Sequence, residues 1–390
     1  MSRATVVPAA LFVLASVVWP AVATAGSYRF DALGQFSGAP RLGSVPAVND
    51  NGTVAFVLPG TDGGFTLHTG VPGDVRAVPT PGVTTNFGGV SINNHGRIAF
   101  VAYADTAPTY FFSDLSVHTV DPGSPAQMVI PRGGTYGGEF QINTGIGDDG
   151  KVVASTYALN APPDRLVLWD GTAATVVYQT LNFLYDVRMS TDGAYGVYEN
   201  GFEVGPFQRW VTSRGAVDSS WSYTRPGTND RVPFRNIGGG DVAANGWSVF
   251  SASSTDPAEP SSLFLWRGGS IQPVGSESLA GAPAINDSGV VAVLTTGSAA
   301  APTRLVVLKD GVVTPVIAVG EELFGSTVSE IQFEPKGFNN AEQFAFLARL
   351  ADGRNVVALA SPVPEPGAAC VLFVFAGSLL PRRRGHTHRC

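Results

Sequence analysis

Arg209, Trp210, Arg214, Trp221, Tyr223, Arg225, Arg231 and Arg235 make 199–240 the stretch of this chain richest in side chains that could hold a ligand. Aromatic faces beside guanidinium groups can stack on a sugar ring and hydrogen-bond an anionic polysaccharide. Trp221, Tyr223, Arg225, Arg231 and Arg235 are therefore the candidate ligand-binding set. The competing assignment places Trp210 and Trp221 in the core and leaves the arginines on a solvated loop.

Other chemical signatures are weaker. GIGDDG at 145–150 satisfies the glycine spacing of a dinucleotide site. Such a site needs a helix after the glycines. A strand-like KVVAS follows instead, and Asp148 and Asp149 would repel a pyrophosphate. The N-D-N-G turns resemble calcium loops, but Ala47, Gly145 and Gly147 stand where oxygen ligands belong. No H-E-x-x-H, G-x-S-x-G or P-loop occurs. No catalytic residue, metal ligand or cofactor is assigned. A glycosidase pair hidden among scattered carboxylates leaves no local signature.

The elements that must position these residues are set by a repeated phrase. It reads NDNGTVAF, NNHGRIAF, GDDGKVVA, STDGAYGV, AANGWSVF, NDSGVVAV and NNAEQFAF, aligned on Gly52, Gly96, Gly150, Gly193, Gly246, Gly289 and Glu342. The spacing alternates between short and long units, which suggests duplication of a two-unit block. Asn or Asp at the turn's start can cap its own backbone, and Gly at the end can take positive φ. The apolar residues that follow read as a buried strand. Glu342 lacks glycine's freedom, so the last turn is expected to differ. His68, His95 and His118 fall at different distances from the aligned glycines. They are read as unrelated positions, which argues against a shared metal ring.

Each unit holds about four short strands. In the second they are placed near 88–92, 97–103, 109–113 and 116–121. No segment shows sustained helical periodicity. A period in the forties with four strands predicts an all-β, seven-bladed β-propeller over 26–361. The last unit lacks a fourth strand, and SYRFDAL at 27–33 is a spare one. Pairing the spare strand as the outer strand of the last blade closes the ring and hides its edges. An open β-solenoid or tandem sandwiches are the competing architectures.

Composition agrees. Of 390 residues, 44% are hydrophobic and only 14% charged, with 47 Gly and 28 Pro, a profile of strands and turns. Both cysteines, Cys370 and Cys390, lie beyond the repeats, so the domain relies on no disulfide. Between 26 and 361 there are 19 basic and 30 acidic residues, a net charge of about −11. That balance disfavours nucleic acid and anionic lipid.

The ends carry addresses. Residues 1–25 read as a signal peptide: Arg3, an apolar run over 11–18 and the small-x-small pattern Ala23-Thr24-Ala25. At the other end, Pro364-Glu365-Pro366 precedes a 13-residue apolar stretch and Arg382-Arg383-Arg384. This three-part tail over 362–390 resembles the PEP-CTERM sorting signal of exported bacterial proteins. The resemblance implies signal peptidase and an exosortase-type machinery as partners, with transient anchoring by the C-terminal apolar helix. The repeats resemble a family of exported proteins with tandem N-x-x-G-x-V-A-F units, which brings no mapped activity.

These readings lead to an exported cell-surface or extracellular propeller for binding, adhesion or matrix assembly, with extracellular polysaccharide as a candidate partner. The alternative is a secreted glycosidase or lyase on the same scaffold. Paired carboxylates about 5–10 Å apart in the central channel would favour the enzyme. A channel lined by small and apolar residues would favour the binding module.

Overall fold

A computed structural model of the chain describes residues 28–363, except 39–44, 61–63, 81–85, 104–115, 132–138, 158–162, 202–207, 219–220, 226, 257–261 and 298–300. The signal segment 1–25 and the sorting residues Pro364, Glu365, Pro366, Arg382, Arg383 and Arg384 lie outside the described residues.

The turns fold as their sequences dictate. Asn49 Oδ1 accepts the N–H groups of Asn51 at 3.1 Å and Thr53 at 2.9 Å, and Gly52 N–H donates to the Asn49 carbonyl at 3.0 Å. Gly52 closes the turn at φ 76. After each turn comes a strand whose residues are buried on both faces: Val54, Ala55 and Phe56 are all fully buried. A strand sandwiched between two neighbouring sheets reads as a continuous apolar run rather than an alternating one.

Seven antiparallel sheets result. Blade one contains Ala47–Val48, Val54–Pro59, Phe65–Val71 and Asp74–Ala77. Blade two has Asn86–Ile92, Ile98–Tyr103, Ser116–Val120 and Gln127–Ile130; blade three has Glu139–Ile146, Val152–Tyr157, Asp164–Trp169 and Ala174–Thr180. Blade four is built from Phe183–Met189, Tyr195–Asn200, Gln208–Thr212 and Gly215–Asp218. Blade five adds Ser222–Thr224 to Arg231–Val242, Ser248–Ser254, Leu263–Arg267 and Ser270–Gly275. Blade six comprises Ala284–Ile285, Val291–Thr295, Arg304–Lys309 and Val312–Ala318. Blade seven orders Glu322–Leu323, Ser326–Gln332, Phe344–Leu350 and Arg354–Pro362, then the N-terminal strand Tyr28–Ser37.

That last pairing closes the ring. Tyr28 faces Pro362 and Ser37 faces Arg354, with one bulge between Ala32 and Gly34. The core confirms the closure: seven apolar clusters occupy the seven seams between adjacent blades. The cluster between blades seven and one joins Leu33 and Val357, from opposite ends of the chain, to Val54 and Phe56. The architecture is a seven-bladed β-propeller; a solenoid would leave that seam unmade. The only helical element among the described residues is a 3-10 turn, Pro335–Gly337.

Three expectations need correction. In blade two the third and fourth strands are Ser116–Val120 and Gln127–Ile130, so 116–121 was placed one strand too late. The segment 109–113, TYFFS, expected as the third strand, lies outside the described residues. The last turn does not differ in shape. Glu342 takes φ 56, and Asn339 Oδ1 accepts the Ala341 and Gln343 N–H groups at 3.0 and 2.9 Å, as its counterparts do. The cap and the ion pair from Lys309 to Glu342 at 2.6 Å offset the left-handed conformation. Finally, His68 and His118 are equivalent. Each sits on a third strand and stacks on the aromatic residue of the repeat phrase, Phe56 at 5.6 Å and Phe100 at 5.4 Å. The long connection between strands two and three of blade two disguised the match.

Candidate functional site

The seven turns meet around the axis. Their second positions are Asp50, Asn94, Asp148, Thr191, Ala244, Asp287 and Asn340. Backbone N–H groups pass hydrogen bonds from blade to blade: Asn340 to Asp50 Oδ1 at 2.8 Å, Asp50 to Asn94 Oδ1 at 2.8 Å, Asn94 to Asp148 Oδ1 at 2.8 Å, and Asp287 to Asn340 Oδ1 at 2.7 Å. Asn94 Nδ2 bridges Asp50 and Asp148, both at 2.9 Å. Asn340 Nδ2 bridges Asp50 at 2.9 Å and Asp287 at 2.8 Å. Beneath them, Asn339, Asn49 and Asn93 each donate Nδ2 to the turn carbonyl of the next blade, at 2.7, 2.8 and 3.0 Å.

Blades four and five lack amides at these two turn positions and complete the ring differently; in blade five Asn245, one place later, donates Nδ2 to the Asp287 carbonyl at 2.6 Å. Asp148 N–H donates to the Thr191 carbonyl at 2.8 Å, and Ala244 N–H to Asp287 at 2.6 Å. The Thr191 hydroxyl reaches Asp287 at 3.4 Å, past Ala244. Arg214, from the outer hairpin of blade four, donates to the Ala243 and Ala244 carbonyls at 2.9 and 3.1 Å and pairs with Asp192 at 2.5 Å.

Inside the ring lies a polar chamber of about 110 Å³. The residues two places before each turn are Ala47, Ser91, Gly145, Arg188, Asp241, Ala284 and Gly337, and all but Ala284 and Gly337 line the chamber. Five are small; the two charged ones come from blades four and five. Lys336 enters beside Gly337 and forms an ion pair with Glu334 at 3.0 Å. Burial pushes Asp241 up to about 6, against the Ile285 N–H that its Oδ2 accepts at 3.1 Å and the charge of Arg188. Burial lowers Lys336. It also opposes ionisation of Glu334, but Lys336 and Arg188 outweigh it and hold that carboxyl below its usual range. Among the described residues, no group of three or more His, Cys, Asp or Glu is placed to hold a metal ion.

A second ionic cluster crosses the seam between blades three and four. Glu199, fully buried, accepts Thr180 Oγ1 at 2.5 Å, Tyr178 Oη at 2.7 Å, Asn182 Nδ2 at 2.7 Å and Arg209 Nε at 2.6 Å. Burial pushes this carboxyl up; the four donors outweigh it and leave it below its ordinary range. With every lone-pair direction occupied, Glu199 is a clamp rather than a base.

The sequence-predicted set is divided by the fold. Tyr223 is 1% exposed, against Phe234 at 5.8 Å and Phe264 at 4.9 Å, so its ring is core. Trp221 is half-buried, edge-on to Trp266. Arg225 pairs with Asp230 at 3.3 Å and Asp256 at 3.0 Å. Arg231 and Arg235 are exposed and share one face of Arg231–Val242, while Val232 and Phe234 point into the core. They lie near the end of that strand remote from the turn ring. Trp210, fully buried, donates Nε1 to Ser248 Oγ at 2.6 Å.

Sequence reasoning missed Arg188, Asp241 and Lys336. The signal was present: aligned on the turns, the place two residues earlier is small in five units and charged in two.

No protein-family model matches the chain, and no curated protein matches it. Solved structures do. The chain is similar to Pyrococcus horikoshii acylaminoacyl peptidase, at 10% identity and TM-score 0.50, over 81% of this chain and 49% of that one. It thus spans about half the length of the peptidase. It is also similar to polysaccharide lyase Uly1, at 10% identity and TM-score 0.48, over 84% and 91% of the two chains. A third is the Aleuria aurantia lectin in complex with Fucalpha1-6GlcNAc, at 9% identity and TM-score 0.38, over 72% and 96%. At these identities the likeness is one of fold, and fold alone assigns no activity.

Proposed function

We propose that the protein is an exported propeller that acts at the cell surface or outside the cell as a binding, adhesion or matrix-assembly module. In this reading signal peptidase removes 1–25, the tail holds the protein transiently at the membrane, and exosortase-type machinery processes it. The observation that carries the binding role is the state of the axial carboxylates. Asp50, Asp148 and Asp287 are each engaged by a bridging amide and a backbone N–H of a neighbouring blade. Asp50 and Asp148 share one Asn94 amide nitrogen at 2.9 Å each, so they stand at about the spacing set out for the enzyme, but groups spent on holding blades together are not free to deliver and accept protons as a glycosidase pair must. The ligand in this reading is an extracellular polysaccharide with negative charge. Arg231 and Arg235 meet its acid groups roughly 13 Å apart along the strand, on the face opposite Trp221, which packs against the core cluster, so Trp221→Ala serves as the control for a structural effect.

The test is a screen of the full-length protein against acidic and neutral glycans, repeated with Arg231→Ala/Arg235→Ala and with Trp221→Ala. Retention of acidic glycans by the parent, with a loss of at least tenfold in the double variant, is expected. Release of shortened or unsaturated sugars would replace the binding reading with the carbohydrate-active enzyme. Mass spectrometry of the exported protein should show an N-terminus near Gly26 and loss of the Arg-rich end; an intact tail would remove exosortase from the account.

A further inference from the structure

We propose that the axial chamber is a binding site for a small organic monocarboxylate, with Arg188 as its principal partner and Lys336 as a second positive charge. The reason is an imbalance in hydrogen bonding. Arg188 is 5% exposed. A guanidinium offers five donors in a planar fork. Here Nη1 donates to the Val187 carbonyl at 2.9 Å, Nε finds no acceptor, and the nearest carboxylate among the described residues, Asp186, stands 3.8 Å from Nη2. Lys336 Nζ meets Glu334 as an ion pair but without the angles of a hydrogen bond. Buried cations are stable when paired, and the Arg188 Nε donor, left without an acceptor beside the cavity, points to a partner the chain does not supply.

The chamber restricts what that partner is. A planar anion with two oxygens matches the guanidinium fork in a way that a spherical ion does not. A volume of about 110 Å³ admits a molecule of a few heavy atoms. The three ring carboxylates nearby repel a second negative charge, which favours a monoanion over phosphate or a dicarboxylate. Asp241, which lines the same chamber, gives a hydroxyl on the ligand a partner, so a hydroxycarboxylate fits better than a plain one. This site is independent of the strand face at Arg231 and Arg235, and either can fail without the other.

The test uses calorimetric titration of the full-length protein with sodium glycolate. Neutral glycolamide and sodium chloride at matched ionic strength are the controls. Saturable glycolate binding is expected, with no response to glycolamide. Arg188→Gln should weaken it at least tenfold and Asp241→Asn should tighten it several-fold, whereas Arg231→Ala should leave it unchanged. Equal binding of glycolamide, or glycolate binding that survives Arg188→Gln, overturns the proposal. Should Arg188→Gln fail to fold, a crystal structure of the unaltered protein in saturating glycolate decides: a carboxylate oxygen about 3 Å from Arg188 Nε or Nη2 supports the site, and water alone there refutes it.

Discussion

Blades seven, one and two are joined around the axis by neutral amides, whereas blade four is tied to blades three and five by charged side chains. In the first arc Asn339, Asn49 and Asn93 do two jobs each: Oδ1 caps the residue's own turn and Nδ2 reaches the next blade. In the second arc the same places hold Gly147, Ser190 and Ala243, and the work passes to Glu199, which takes Tyr178 and Thr180 of blade three together with Arg209, and to Arg214, which pairs with Asp192 and donates to the Ala243 and Ala244 carbonyls of blade five. One fold is therefore held together by two chemistries. The amide arc repeats a solution already present in the turn phrase. The ionic arc draws on side chains from outer strands, which the phrase does not contain. It is also the arc that brings under-paired charge to the axis.

The comparison breaks most severely at Glu199. Glu199→Ala should cost about 3–5 kcal/mol, because Arg209 and Tyr178 lose a buried anion. Chemical denaturation with an unchanged slope would measure it, and a loss below 1 kcal/mol would remove the clamp from the account. Asn49→Ala should cost about 2–3 kcal/mol, since a turn cap and an inter-blade bond go together. Its effect should be indifferent to salt, unlike that of Glu199→Ala. A salt-sensitive Asn49→Ala penalty would erase the distinction between the arcs.

Acidity sharpens the contrast. The folded protein holds Asp241 near 6 rather than 3.8, so Asp241 contributes stability that is present below about 3.8 and lost as pH rises through about 6. Glu199, held low, works in the opposite sense: its contribution is present above its unfolded value of 4.5 and lost as pH falls through its lower folded value. Asp241→Asn should therefore gain on the parent by about 1–2 kcal/mol between pH 4 and pH 7, a figure reduced for the contact of Asp241 with the chamber. Thermal unfolding across that range would show it; parallel curves for the two proteins would contradict it. The smallest effect extends the amide chemistry into the ionic arc. Ala243→Asn adds a first-position cap and a second inter-blade donor to a turn that now relies on Asn245, whose Oδ1 accepts the Trp247 N–H at 2.8 Å and whose Nδ2 donates to the Asp287 carbonyl at 2.6 Å, and should add about 1 kcal/mol. A decrease would mean that Arg214 already occupies the space.

Much of this fold was legible because its information is local and repeated. A capped turn ending in positive φ, then a run buried on both faces, recurs seven times, and the odd strand at 27–33 supplies the outer edge that the last unit lacks. What stayed hidden depends on distances that sequence does not measure. The equivalence of His68 and His118 disappeared behind one long connection. Tyr223 belongs with the core because two phenylalanines from its own blade, Phe234 and Phe264, pack against it, a fact of packing rather than of pattern. Arg188 and Asp241 were visible as exceptions at one aligned place, but their meaning required knowing that this place faces an axis. The clamp at Glu199 assembles residues from two blades whose loops give no sign of the partnership.

Closure by the first strand has a temporal side. Asn339 donates to Asn49 across 290 positions of chain, and Phe30 pairs with Ala360. During synthesis the opening segment has no lateral neighbour until almost the whole polypeptide has been made. Until then the nascent molecule is an incomplete arc with two bare borders, and any helper, protease or translocation apparatus that meets it early meets that arc and not the finished disc.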